Sequence, residues 1–145
     1  MRTSTLGLNI IKTWESCRLE AYKPHPDDVW TIGWGHTGEE VVEGLVWSQA
    51  QADIALAEDL RRLEGVVESI IIMPLTQNQF DALVSLVYNC GSAPLTKTLG
   101  ALLNQGDKIG AAQEFPKWVF SGGKKWRGLL RRRLTEALLF SKEAF

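Results

Sequence analysis

The chain has 145 residues, of which 45% are hydrophobic and 23% are charged, and its formal net charge is −1. This length and composition are typical of a single folded unit with its own apolar core. A net charge so close to zero predicts no general attraction to nucleic acid or another polyanion. Cys17 and Cys90 lack the spacing of a metal site or a CxxC redox motif, so we expect both to be small core residues.

The N-terminal segment predicts a helix that begins near Thr3 or Ser4 and carries Leu6, Ile10, Ile11 and Trp14 on one stripe. Its apolar stretch is too short for a signal peptide or a membrane span. We therefore expect no export signal of the chain's own. Glu15 falls near the C-terminal end of this helix.

Residues 19–38 change to a β pattern. Turn-forming residues at 24–28 precede the alternating aromatic, β-branched and glycine residues of segment 30–35. This pattern predicts a small hairpin or a three-stranded sheet.

The rest of the chain predicts helices. Capping boxes that begin at Ser48 and Thr76 predict a long helix from about 48 to 69 and a central core helix that ends near Gly91. Shorter helices are expected at about 97–104 and 108–114, followed by a loop at 121–123 and a final helix that contains residues 129–138. The predicted fold class is α+β, predominantly helical, with a small β element after the first helix.

Glu15 is a candidate general acid for cleaving a glycosidic bond. Such cleavage usually needs one carboxylic acid to protonate the leaving oxygen and a second group to activate water or act as the nucleophile. The negative end of a helix dipole and the apolar neighbours Trp14 and Tyr22 favour a protonated carboxyl group. Thr31 lies on a predicted strand beside Gly33 and Gly35, where glycine permits a close approach of the backbone to a ligand.

Several sequence blocks together point to one known family. They are Glu15, Arg18-Leu19, Ala21-Tyr22 and segments 30–37, 75–83, 87–91 and 128–133. In order and spacing they resemble the phage-type lysozymes, the endolysin family of glycoside hydrolase family 24 that includes the T-even and lambdoid phage lysozymes. The resemblance spans essentially the whole chain. It implies a two-lobed lysozyme-like fold with a small N-terminal β lobe and a helical C-terminal lobe.

The second catalytic residue is ambiguous. The family's pattern is a glutamate, eight residues, an aspartate or cysteine, five residues and a threonine, whereas Glu15 and Thr31 are one residue further apart. Counting forward from Glu15 reaches Pro24, and counting back from Thr31 reaches His25. Because strand pairing fixes the register at Thr31, the second count is preferred.

This count makes His25 the positional equivalent, and a neutral imidazole is a suitable base near pH 7. The rival is Asp27, with Asp28 behind it, since either would restore a carboxylate. An Asp-Asp pair is also typical of a solvent-facing turn.

The resemblance also implies substrate-binding roles for Tyr88 and Asn89, with Gly35 allowing close approach to the saccharide. Core packing is the other interpretation of Tyr88. The resemblance makes His36 a structural histidine that supports the hairpin.

Charge is unevenly distributed along the chain. Eight acidic residues lie between Trp34 and Ile70, and basic residues crowd the C-terminal quarter, which predicts a basic end of the molecule. The basic residues concerned are Lys124, Lys125, Arg127, Arg131, Arg132 and Arg133. Because leucines interleave with the arginines at helical spacing, we expect an amphipathic surface helix with a solvated basic face.

By resemblance, the chain hydrolyses the β-1,4 bond between N-acetylmuramic acid and N-acetylglucosamine in bacterial peptidoglycan. Glu15 would be the general acid, His25 or Asp27 the base or nucleophile, and Thr31 the residue that positions water. No metal or organic cofactor is implied. One catalytic domain would cover residues 1–145, with a β-rich lobe at about 16–47, a connecting helix at about 48–69, and a helical lobe at about 70–145 that includes the N-terminal helix.

The resemblance further implies a monomer that is made in the host cytoplasm, reaches the periplasm and cell wall with the help of a phage holin, and binds no nucleic acid. Two alternatives remain open at this point. One is a lytic transglycosylase-like reaction that uses the glutamate alone. The other is a non-catalytic basic helical module that binds nucleic acid or an anionic envelope.

Overall fold

The structure, a computed structural model, describes residues 1–121 and 124–142. The N-terminal half contains α1 (Thr5–Trp14), β1 (Arg18–Tyr22), β2 (Thr31–Gly33), β3 (His36–Thr37) and α2 (Gln49–Ile70). The C-terminal half contains α3 (Gln77–Cys90), α4 (Ala93–Thr96), α5 (Thr98–Asn104), α6 (Lys108–Glu114), β4 (Phe120–Ser121), β5 (Lys124–Lys125) and α7 (Arg127–Ser141). This order confirms the predicted class, a mainly helical α+β fold with a small β element. In the described ranges no helix is long and apolar enough to cross a membrane.

Both predicted capping boxes are present. The Ser48 side chain accepts a hydrogen bond from the backbone of Gln51, whose own side chain accepts one from the backbone of Ser48. Thr76 and Gln79 make the same pair of bonds at the start of α3. Each box satisfies backbone N–H groups that have no partner inside the helix, so α2 and α3 begin where the sequence indicates.

Two hydrophobic clusters hold the molecule together. The larger one lies among the helices and includes the fully buried Ile11 and Phe80. The smaller one, Ala21, Ile32 and Val41, lies within residues 18–47, which we call the β lobe. The helix α2 follows the β lobe and packs on α3, while α1 packs on α3 as well. A cleft can therefore form where the end of α1 faces the β lobe and the last helix.

The sheet of the β lobe is antiparallel in the order β1-β2-β3. Arg18 pairs with Gly33 and Tyr22 with Thr31, so β1 contains an irregularity between its two paired ends. After β1 the chain turns at residues 25–28, where the N–H of Asp28 donates to the carbonyl of His25 over 3.0 Å. The irregularity in the pairing of β1 thus lies before this turn. Comparison with the family's spacing predicted that the one additional residue between Glu15 and Thr31 lies next to Pro24.

The expected solvated basic face of the last helix is wrong for two of its arginines. Arg132 is 3% exposed and Arg133 is fully buried, whereas Leu134 and Leu138 are exposed. The reason is that α7 packs on α3, and the buried Glu136 pairs with both arginines while Arg132 also pairs with Glu15. The buried face of this helix therefore combines Arg132, Arg133 and Glu136 with Leu139 and Phe140. Lys124, Lys125, Arg127 and Arg131 do remain exposed.

Smaller differences concern short elements. The helix α4 and the pairing of β4 with β5 have no counterpart in the prediction, which places only a loop at 121–123; Gly122 and Gly123 lie outside the described residues. Cys17 and Cys90 are free and half-buried, so neither lies at the centre of the core. Cys90 packs against the edge of the larger cluster.

Candidate active site

Glu15 lies at the boundary between a helix and the β lobe. It is the C-terminal cap of α1, where its backbone N–H donates to the carbonyl of Ile11 over 2.9 Å. Its side chain is 22% exposed, and one carboxylate oxygen lies 2.7 Å from the Nη1 atom of Arg132. The predicted position at the end of the helix is therefore correct, and the carboxylate is held by a residue distant in sequence.

A cleft of about 410 Å³ opens in front of this carboxylate. Its lining comes from α1, the turn after β1, the end of α3 and the start of α7. The lining residues are Trp14, Glu15, His25, Asn89, Trp126, Gly128, Leu129 and Arg132. Since apolar and polar side chains both face it, the cleft suits a ligand with apolar faces and polar edges.

Two further cavities lie near this cleft. A larger cavity of about 670 Å³ shares Asn89 and Leu129 with it, so the two are adjacent. Gly35 and Tyr88 line a separate, smaller cavity of about 190 Å³.

Arg132 is itself held by a buried network. Its Nε atom lies 3.1 Å from Oε1 of Glu136, and its Nη2 atom donates to the carbonyl of Ser85 over 3.2 Å. The Nη2 atom of Arg133 donates to the same Glu136 oxygen over 2.9 Å, and the Ser85 hydroxyl donates to it over 2.7 Å. Two guanidinium groups and the carboxylates of Glu15 and Glu136 thus form a formally neutral set, which fixes the direction from which Arg132 reaches Glu15.

Gly35 passes directly beside Glu15. Its φ of 94° lies in the left-handed region that favours glycine. A Cβ atom at this position would lie 3.1 Å from Oε2 of Glu15 and 3.7 Å from the Tyr88 hydroxyl. The absence of a side chain therefore leaves room for the carboxylate.

Tyr88 packs against the larger cluster, and its hydroxyl donates a hydrogen bond to the carbonyl of Trp34. Burial raises the pKa of the Tyr88 phenol, and the negative charges of Glu15 and Asp59 raise it further. The phenol is therefore neutral over the physiological range and remains a hydrogen-bond donor. Tyr88 therefore contacts the larger cluster and also lines the 190 Å³ cavity.

The structure separates the candidates for the second catalytic residue. His25 lines the cleft that contains Glu15. Asp27 and Asp28 are exposed in the turn and lie outside the lining of this cleft. Thr31 is buried on β2, and its hydroxyl donates to the carbonyl of Val29 over 3.1 Å. It too lies outside the lining of the Glu15 cleft.

His36 bridges two carboxylates. Its Nδ1 atom lies 2.7 Å from Asp59 on α2, and its Nε2 atom lies 2.6 Å from Glu40. Partial burial by itself lowers the pKa of His36, but the hydrogen bonds to Glu40 and Asp59 outweigh it, and the pKa is raised. The imidazole therefore connects the β lobe to α2, which is a structural role for His36.

Sequence reasoning missed Arg132 and Glu136 as parts of this site. The signal that could have found them is the spacing of the charges. Glu136 follows Arg132 by four residues and Arg133 by three, and side chains at these spacings are neighbours on a helix surface. Trp126 was also missed, because its place in the cleft depends on the hairpin that precedes α7. In the part of the chain that the structure describes, no group of three His, Cys, Asp or Glu side chains could hold a metal ion.

Comparison with known proteins identifies the relatives of this fold and site. The sequence matches the phage lysozyme family over residues 12–136. The chain belongs to the phage lysozyme family. It is 43% identical to the endolysin of Acyrthosiphon pisum secondary endosymbiont phage 1 over 145 residues, which cover 97% of this chain and 98% of that relative.

Other relatives are similar over nearly all of this chain. The endolysin of Lactococcus phage c2 is 42% identical over 98% of this chain, but the chain spans only 61% of that relative's length. The muramidase domain of SpmX from Asticaccaulis excentricus superimposes with a TM-score of 0.86 at 35% identity, covering 98% of this chain and 99% of that domain. The lysozyme-like architecture is thus shown by both sequence and fold.

Proposed function

We propose that this member of the phage lysozyme family is an endolysin that degrades bacterial peptidoglycan by hydrolysing the β-1,4 bond between N-acetylmuramic acid and N-acetylglucosamine. The observation that carries the proposal is Glu15, a carboxyl group that lines a cleft of about 410 Å³ and is oriented there by Arg132. A carboxyl group placed in a cleft in this way can reach a glycosidic oxygen of a bound polysaccharide and protonate it.

In the proposed reaction the Glu15 carboxylic acid gives its proton to the leaving glycosidic oxygen as the bond to the anomeric carbon breaks. A water molecule adds to that carbon and loses a proton to a base. We assign the base to His25, because it lines the same cleft and a neutral imidazole accepts a proton near pH 7. Asp27 remains the alternative, with Asp28 behind it, and would require the 25–28 turn to move toward the cleft.

Thr31 is proposed to position the water. Its hydroxyl hydrogen is directed at the carbonyl of Val29, so the hydroxyl oxygen keeps lone pairs that can accept a hydrogen bond from water. Gly35, Tyr88 and Asn89 are proposed to contact the saccharide. Asn89 lines the Glu15 cleft, and Gly35, which passes beside Glu15, lines a neighbouring cavity with Tyr88.

A transglycosylase-like reaction is a second candidate. Among the described residues, Glu15 is the one carboxylate that lines the cleft. An enzyme with a single carboxylate can cleave the bond without consuming water and leave an anhydro sugar. The mass of the product separates the two reactions, since the hydrolytic product contains one additional water.

We further propose that the protein acts as a monomer on the cell wall after synthesis in the host cytoplasm and passage across the inner membrane with the help of a holin. A phage origin of this protein is supported by its relatives, which include the endolysins of Lactococcus phage c2 and Bacillus phage PZA. Binding of nucleic acid through the last helix is disfavoured, because Arg132 and Arg133 are buried and paired.

The test measures the loss of turbidity of outer-membrane-permeabilised Gram-negative cells, together with mass spectrometry of the fragments released from purified peptidoglycan. The parent protein is compared with Glu15→Gln, His25→Ala and Asp27→Ala. Glu20→Gln serves as the matched control because Glu20 is exposed on β1, outside the cleft.

We expect Glu15→Gln to lose activity by at least about 100-fold, as is typical when a general acid is removed, while Glu20→Gln keeps it. A fall with His25→Ala but not with Asp27→Ala supports the assignment of the base, and the reverse result transfers the role to Asp27. Clearing of cells by Glu15→Gln at the rate of the parent would overturn the enzymatic proposal.

A further inference from the structure

Trp126 occupies an unusual position for a large aromatic side chain. It immediately precedes α7, it is 42% exposed, and it lines the cleft that contains Glu15. Because covering an indole removes a large apolar surface from water, a partly exposed tryptophan that borders a cleft of mixed polarity is a candidate ligand contact.

The backbone of Trp126 is fixed on both sides. Its N–H donates to the carbonyl of Val119 over 3.0 Å, and its carbonyl accepts the N–H of Leu130 over 3.2 Å as the first turn of α7 forms. The first bond belongs to the hairpin of β4 and β5, and the second belongs to the helix that carries Arg132. The indole is therefore placed by the same helix that positions the carboxylate of Glu15.

The other lobe supplies a second ring at the same place. The imidazole of His25 also lines the cleft, with its centroid 6.5 Å from that of Trp126 and the two planes inclined by 32°. The ammonium group of Lys124 lies 5.7 Å from the centroid of the Trp126 ring. One flat aromatic surface thus borders the cleft from the helical side and a smaller ring borders it from the β lobe.

We propose that Trp126 is a binding platform for one N-acetylated hexopyranose ring of the glycan chain, next to the bond that Glu15 cleaves, and that His25 borders the same sugar from the opposite lobe. A β-linked pyranose has C–H groups on its faces and hydroxyl and amide groups around its edge. The negative face of an indole attracts the C–H face, while the polar edge of the sugar stays in contact with water and with Asn89. This inference rests on the proposed function and adds a substrate contact to it.

The experiment measures binding apart from cleavage. In the Glu15→Gln background, isothermal titration calorimetry follows binding of a peptide-free tetrasaccharide of alternating N-acetylglucosamine and N-acetylmuramic acid. We expect Trp126→Ala to weaken binding by at least about tenfold and Trp126→Phe to weaken it by no more than about threefold. Lys125→Ala is the matched control, because Lys125 is exposed on the same hairpin outside the cleft lining, and it is expected to bind like the parent.

A kinetic measurement on the active protein gives a second readout. Because the platform contacts the sugar equally in the ground state and in the transition state, Trp126→Ala should raise KM by about tenfold with kcat changed by less than about twofold. A residue that only supports the fold would instead lower the melting temperature or kcat.

Each outcome decides between distinct conclusions. Equal binding by Trp126→Ala and its parent overturns the platform while leaving the proposed function intact. Failure of the tetrasaccharide to bind even with Trp126 present overturns both. If Trp126→Ala melts at a lower temperature than its parent, the Trp126→Phe variant decides. Retained binding of the tetrasaccharide by Trp126→Phe supports the platform. If Trp126→Phe melts normally but loses as much affinity as the alanine variant, the platform is overturned.

Discussion

Removing the charge of Glu136 should destabilise the protein strongly. Glu136 is fully buried, and one of its oxygens accepts hydrogen bonds from Ser85, Arg132 and Arg133 while the other lies 2.8 Å from Nε of Arg133. In Glu136→Gln the size is kept, but two guanidinium groups lose their shared carboxylate. Breaking a buried pair by removing one partner costs about 3–5 kcal/mol of unfolding free energy. For a chain of this length, that corresponds to a fall in melting temperature of about 10 °C or more.

Thermal and urea unfolding followed by circular dichroism measure this effect at pH 7. Glu58→Gln is the matched control, because Glu58 is exposed on α2 and its change should stay within about 0.5 kcal/mol. Adding Arg133→Met to Glu136→Gln removes one buried cation and should restore about 1–2 kcal/mol. If Glu136→Gln unfolds like Glu58→Gln, or if the second substitution only adds to the loss, the buried network does not stabilise α7 as argued.

Two further predictions concern the β lobe. The pKa of His36 is raised in the folded protein, so its contribution to stability is complete below its unfolded pKa of about 6.5 and is lost as the pH rises through the folded value. His36→Gln should therefore cost more unfolding free energy in urea at pH 6 than at pH 9, and an equal cost at both would contradict the ion-pair role. Gly35→Ala should lower kcat by at least about tenfold, because its Cβ atom would press on Glu15. Gly44 has a similar φ of 86°, and a Cβ atom there would have no atom within 4 Å. The Gly44→Ala variant should therefore be less stable but keep its activity. An equal loss of activity in both variants would assign the effect to backbone strain.

Local signals in the sequence predicted most of the fold. The caps at Ser48 and Thr76 and the glycine at 91 act over one helical turn, so they define helix ends without knowledge of the tertiary structure. The position of Glu15 followed from the same kind of signal, since it ends a short amphipathic helix. These features depend on neighbours that the sequence displays directly.

The remaining features depend on contacts between distant segments. The arginines of α7 were expected to face solvent because hydrophobic periodicity treats every charge as exposed. Burial of Arg132 and Arg133 requires Glu136 on the same helix and Ser85 on another, which periodicity does not detect. Similarly, the choice of His25 over Asp27 as a residue of the cleft depends on the course of an irregular turn. The catalytic roles of Glu15, His25, Asp27 and Thr31 stay predictions until the variants are measured.

The contact between Glu15 and Arg132 joins positions 117 residues apart in the chain. Closing so long a loop has an entropic cost that the contacts of the intervening elements must offset. During translation, Glu15 is therefore made 117 residues before the guanidinium group that orients it. A chain interrupted before Arg127 would retain Glu15 but lack the partner of its carboxylate, so assembly of the active site requires synthesis of α7.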